Sequence, residues 1–165
     1  MRRNPRKNRP TAAFTLIEIL VVLVILAIAV VIVVPSLNSS DLQATSAARM
    51  IAADFQYAQN VAITTQGPVT VTFDPAGNSY SLSNASGALI HPMNKSAYSV
   101  DFDSQSGFGQ LGIVSASFGE ASSVTFDEMG APDSAGSVTV QAGASGYVIS
   151  VADVTGRVTV AMVGS

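Results

Sequence analysis

The segment Gly107-Phe108-Gly109-Gln110-Leu111-Gly112 has the glycine spacing of a dinucleotide-binding turn, in which the backbone closes on a pyrophosphate held at a helix N-terminus. That chemistry needs a helix to open where the turn ends. Ile113-Val114-Ser115-Ala116-Ser117-Phe118 alternates as a strand instead, so the segment reads as a glycine-bearing loop. Asp101, Asp103 and Gln105 set oxygen ligands at alternate positions, as a calcium loop does, but the glycine falls late, at Gly107, and no glutamate holds the last ligand position. Asp127, Glu128 and Asp133 read as a solvated acidic turn before Ser134-Ala135-Gly136, because paired hydrolytic carboxylates need a cleft that a small domain does not offer. His91 is the single histidine and stands beside Pro92, with no Gly-x-Ser-x-Gly elbow and no cysteine to supply a nucleophile. Arg157, the last of the three basic residues beyond the leader, reads as a structural clamp. Zero cysteines exclude disulfides and thiolate metal sites, and no metal, cofactor or enzymatic activity is expected.

One remaining residue carries chemistry: Glu18, a carboxylate inside the apolar run FTLIEILVVLVILAIAVVIVV. The run spans 21 residues, 14–34, and at about 1.5 Å per residue gives roughly 30 Å of helix, the thickness of a bilayer core. A carboxylate there costs roughly 2–3 kcal/mol on insertion scales and calls for a cation. Five of the eight basic residues, Arg2, Arg3, Arg6, Lys7 and Arg9, precede Pro10. That asymmetry places the N-terminus in the cytoplasm and exports everything beyond Val34. Cutting between Ala13 and Phe14 creates an α-ammonium at Phe14, four residues before Glu18, that can pair with Glu18 of a neighbouring subunit and set the axial register of stacked helices. A cleavable secretory signal is the simpler alternative, with Ala27-Ile28-Ala29 as its site. The apolar run continues past that site and Glu18 interrupts it, which makes a plain signal anchor the stronger rival. Without residues 1–13 the chain keeps three basic groups against eleven acidic ones, a formal balance of −8.

The stretch Ala13-Phe14-Thr15-Leu16-Ile17-Glu18, behind a basic leader and before a long apolar helix, resembles the processing site of the type IV prepilin and type II secretion pseudopilin superfamily. The resemblance implies cleavage by a prepilin peptidase between Ala13, where the family usually has glycine, and Phe14. It further implies N-methylation of Phe14 and an assembly role for the Glu18 carboxylate. Pro35 falls where many pilins bend. Proline removes a helix donor, Ser36, Asn38, Ser39 and Ser40 are poor helix formers, and Ser40 with Gln43 reads as a capping box, which predicts a break over 35–40.

Past the break, Ala44, Ala48, Ile51, Phe55, Ala58 and Ala62 form a stripe at helical spacing that ends near Thr65, before Gly67-Pro68. The period then changes to two, and residues 69–73, 80–82, 98–102, 112–118, 124–126, 138–141, 147–151 and 157–163 read as strands. In the hairpin turn Asp74-Pro75-Ala76-Gly77-Asn78, proline sets φ and Gly77 is expected to take the positive φ. The predicted fold is α+β and pilin-like: a long N-terminal transmembrane helix continuing as an amphipathic helix packed on a small antiparallel β-sheet head. Its parts are a leader (1–13), a transmembrane helix (14–34), a kink and amphipathic helix (35–65) and a periplasmic head (66–165).

Within the superfamily the head resembles the type II secretion protein H and fimbrial T-like group. The resemblance rests on Asp54-Phe55-Gln56-Tyr57-Ala58-Gln59-Asn60-Val61-Ala62-Ile63, Pro68-Val69-Thr70-Val71, Val124-Thr125-Phe126-Asp127-Glu128-Met129-Gly130 and Val154-Thr155-Gly156-Arg157-Val158. It implies a minor pseudopilin of a type II secretion system, a single-pass inner-membrane protein that joins other pseudopilins in a periplasmic filament driving secretion. The alternative is a fimbrial T-like minor pilin in pilus assembly or DNA uptake. In that relative a second arginine follows the C-terminal Gly-Arg, whereas here Gly156-Arg157-Val158 is followed by Thr159, and an acidic head repels a polyanion, so nucleic acid is not an expected partner.

Overall fold

The computed structural model describes residues 14–33 and 39–163. The chain divides into two units, one ending at Asn38 and the other beginning at Ser39. The first contains α1 (Leu16–Val33), a run of Leu, Ile, Val and Ala whose apolar side chains are uncovered from Phe14 through Ile28. Among the described residues no helix is long and apolar enough to cross a membrane. Pro35 lies outside the described residues.

The second unit opens with α2 (Ser39–Thr65). Its buried face is the expected stripe, Ala44, Ala48, Ile51, Phe55, Ala58 and Ala62, widened by Ala47. Alanines bring the helix axis close to the sheets it covers, and Phe55 fills the centre of the core, its ring 5.7 Å from Phe73, 5.9 Å from Phe118 and 6.2 Å from Phe126. The predicted capping box is not formed: Ser40 is already inside the helix, and the Gln43 side chain accepts the backbone N–H of Gln110 at 3.2 Å. A partner in tertiary structure has won over a local one.

Among the described residues nine strands follow: β1 (Val69–Asp74), β2 (Ser79–Asn84), β3 (Gly87–Ala88), β4 (Ser99–Asp101), β5 (Leu111–Phe118), β6 (Ser123–Phe126), β7 (Gly136–Ala142), β8 (Ser145–Val151) and β9 (Val158–Met162). The head is antiparallel as predicted, but it is divided into two sheets. One runs β3-β2-β1-β6 with β4 also paired to β2, and the other runs β5-β7-β8-β9. Period-two patterning assigns faces and says nothing of which strands pair, so the division was not legible. The inward residues Val69, Val71, Phe73, Leu82, Val138, Val140 and Ile149 are buried, and α2 touches both sheets.

The β1–β2 turn corrects one expectation. Positive φ falls on Asn78 (45°), not on Gly77. Gly77 is needed for room: its N–H donates to Asp74 Oδ1 at 3.0 Å, and a Cβ there would lie 2.6 Å from Asp74 Oδ2. The Asn78 amide then ties three segments, donating to Asp103 Oδ1 (2.6 Å) and the Leu111 carbonyl (2.8 Å) and accepting the Ile113 N–H (2.9 Å).

Candidate functional site

At the N-terminal segment, Phe14 is 77% exposed and Thr15 starts α1: its hydroxyl accepts the Glu18 N–H at 3.3 Å, and its carbonyl accepts the N–H groups of Glu18 and Ile19 at 3.1 and 3.3 Å. Thr15-x-x-Glu18 is thus a helix N-terminus, with the carboxylate in the first turn, where the positive end of the helix macrodipole favours it. This local stabilisation was missed in the sequence, and it lowers the cost of an acidic group in an apolar run. Ala13 and the basic leader lie outside the described residues.

In the head, the other candidate residues prove to be parts of turns. Asp101 Oδ1 accepts the N–H groups of Asp103 (2.9 Å) and Ser104 (3.3 Å), so the calcium-like spacing is a self-capped turn. Asp127 Oδ1 accepts the N–H groups of Met129 (2.9 Å) and Ala131 (2.8 Å), and Asp133 Oδ1 that of Thr125 (3.1 Å). Strand β5 opens at Leu111, inside the glycine-bearing segment, where a nucleotide site would need a helix.

Two polar residues of α2 that the sequence did not single out organise the head. Asp54 accepts the hydroxyls of Tyr80 at 2.5 Å and Tyr98 at 2.8 Å, joining the helix to β2 and to the segment before β4. Burial raises its carboxyl above the ordinary aspartate range, opposed by the two tyrosine donors and by His91. Burial first, and the Asp54 charge after it, push both phenols well up. His91 lies with its ring 4.5 Å from that of Tyr98, which also stacks on Tyr57 at 5.4 Å.

Gln59 is the second. Its Nε2 donates to the Gly130 carbonyl at 2.9 Å and the Gly156 carbonyl at 3.1 Å, fastening the β6–β7 and β8–β9 loops to the helix. Both glycines have positive φ, 81° and 60°. A Cβ on Gly130 would meet Ile63 Cδ1 at 2.9 Å, and one on Gly156 would overlap the Gln59 amide. The clamp expected of Arg157 is therefore made by Gln59, while the Arg157 carbonyl accepts the Ala152 N–H at 3.0 Å to close its own loop. Both residues flank the apolar stripe, Asp54 before Phe55 and Gln59 after Ala58. A polar group at the margin of a buried face was the available signal.

A capped apolar N-terminal helix, in a chain whose head is a helix laid on antiparallel sheets, defines a pilin-like protein. The family of the type II transport protein GspH matches residues 47–156, and the prokaryotic N-terminal methylation motif matches residues 8–34. The chain belongs to the GspH family, and it is a pilin-like chain of the minor pseudopilin group. Among solved structures it is similar to the minor pseudopilin EpsH of the Vibrio cholerae type 2 secretion system, at 9% identity and a TM-score of 0.55 over 73% of this chain and 97% of that one. It is also similar to the type IV minor pilin FimU of Pseudomonas aeruginosa, at 22% identity and a TM-score of 0.51 over 72% and 87%. At these identities the likeness carries the fold. No curated protein matches the chain. The four stretches behind the sequence resemblance fall almost wholly within the matched region, and three of them meet at Gln59.

Proposed function

We propose that this chain is a minor pseudopilin, a structural subunit that assembles with other pilin-like subunits into the periplasmic pseudopilus of a type II secretion system. The observation that carries the reading is the joint match of a GspH head and an N-terminal methylation motif in one chain. In this reading the leader is removed by a prepilin peptidase between Ala13 and Phe14, and the Phe14 amine is methylated. The Glu18 carboxylate then pairs with the Phe14 amine of a neighbour. Pro35, which removes a helix donor, is the kink of this reading. The apolar run of residues 14–34 anchors the chain in the inner membrane, with the N-terminus cytoplasmic and the head periplasmic. The role is structural, without catalysis or cofactor. Intact mass of the membrane-extracted protein tests it: the expected species lacks residues 1–13 and carries a methyl group. A chain that keeps its leader beside an active peptidase defeats the reading.

The likeness to FimU supports a second reading, a minor pilin of a type IV pilus. Deleting the chain separates the two: a pseudopilin loss stops exoprotein release, and a pilin loss stops pilus display.

A further inference from the structure

The Gln59 clamp fixes two surface loops to α2. What those loops carry is apolar and uncovered: Met129 is 82% exposed and Val154 75% exposed. Val154 also has φ +66°, a conformation that β-branched residues resist and that Asn or Gly adopts freely. Its side chain packs into no described core cluster. The two loops border one depression, in which Met129 and Thr155 face Gln56, Asn60 and Ile63 of α2. Ile63 is itself 42% exposed. Three carboxylates adjoin the patch in sequence, Asp127 and Glu128 before Met129 and Asp153 before Val154, against one guanidinium, Arg157.

We propose that Met129 and Val154, fixed to α2 through Gln59, are the apolar centre of a docking surface for another pilin-like subunit, one that presents an apolar socket rimmed by Lys or Arg. The proposal rests on the pseudopilin reading and adds a surface and a partner chemistry to it. Pre-fixed loops reduce the ordering cost of association, and buried apolar anchors inside a charged rim are the usual source of its free energy. A second copy of this chain is the wrong partner. From Ser39 onward it offers three basic side chains against ten carboxylates, so like charge would face like charge.

The test is photocrosslinking in the native host, with the full-length chain carrying p-benzoylphenylalanine at Met129, at Val154 or, as control, at Met93, which is 86% exposed in a different loop. Expected are adducts from the first two positions and not the third, mapped to a peptide of a different pilin-like subunit that contains Lys or Arg. Replacing Glu128 and Asp153 together by Lys should lower the yield roughly tenfold. Val154→Asn should leave thermal stability unchanged or higher while reducing adducts from position 129, which separates docking from folding. Adducts to a second copy, to a chain outside the pilin class, equally from Met93, or not at all overturn the proposal. If the chain appears in the assembled filament fraction without these adducts, only this surface fails. If it never enters that fraction, the pseudopilin reading fails and takes the surface with it.

Discussion

Replacing Tyr80 by Phe isolates one hydrogen bond in the head. Tyr80 is 2% exposed, and its ring lies 5.4 Å from Phe73 and 5.9 Å from Phe102, contacts that phenylalanine keeps. What is lost is the donation to Asp54 Oδ2, leaving the carboxylate with Tyr98 alone. A hydrogen bond to a charged group contributes about 1.5–3 kcal/mol, so the variant should lose about 2 kcal/mol at neutral pH, or very roughly 6–10 °C in a head of this size. The pH dependence gives the reasoning a second handle. Burial already raises the Asp54 carboxyl above 3.8, and the Tyr80 hydroxyl holds it down, so the variant's carboxyl rises further. A folded state whose carboxyl is raised binds more protons than the unfolded chain. The associated stability is therefore fully present below pH 3.8 and is lost as pH rises through the folded value. Acidification should thus favour the variant more than the parent, and the gap between them should narrow from neutral pH towards pH 4. Thermal unfolding of the detergent-solubilised full chain, followed by circular dichroism across that range, measures both quantities. A loss under about 0.5 kcal/mol at neutral pH, or a gap that widens on acidification, refutes Asp54 as a charged acceptor.

The remaining predictions concern the clamp, the stem and the strained loop. Gly156→Ala should cost about 3 kcal/mol, from a left-handed alanine and from displacement of the Gln59 amide, read as a shift in the urea midpoint. Glu18→Val should leave leader removal intact by mass while the chain disappears from the assembled filament fraction of crosslinked membranes; normal incorporation would remove the charge-pairing role. Val154→Asn should raise stability by about 1 kcal/mol, measured by the same unfolding assay, and a loss would show that the valine side chain serves the fold.

The amphipathic stripe of α2 was legible because helical periodicity and small residues point the same way, and every stripe residue is buried. Strand existence was legible from alternation. Strand partnership was not, because β1 meets β6 across more than forty intervening residues and no local pattern encodes that. Strand β3, two residues long, is too short for any periodicity to register. Asp54, Gln59 and Asn78 were missed for one shared reason. Each is defined by a partner remote in sequence, whereas Asp101, Asp127 and Asp133 drew notice through short-range spacing and turned out to serve the backbone nearby. Spacing within a few residues mostly reports turn construction.

That distinction also explains the head's acidity. Of its ten carboxylates, Asp74, Asp101, Asp127, Asp133 and Asp153 each accept a backbone N–H within four residues or, for Asp133, from Thr125 across the turn, and Asp54 and Asp103 accept side-chain donors. Aspartate recurs because its short side chain closes turns. Asparagine would supply the same acceptor without charge, so the negative field is separable from the fold. The field acts outward: it disfavours polyanions and like-charged copies and favours a partner with basic groups. In the proposed reading the chemistry of assembly falls to the N-terminal amine and Glu18, and the choice of neighbour to the surface proposed at Met129 and Val154.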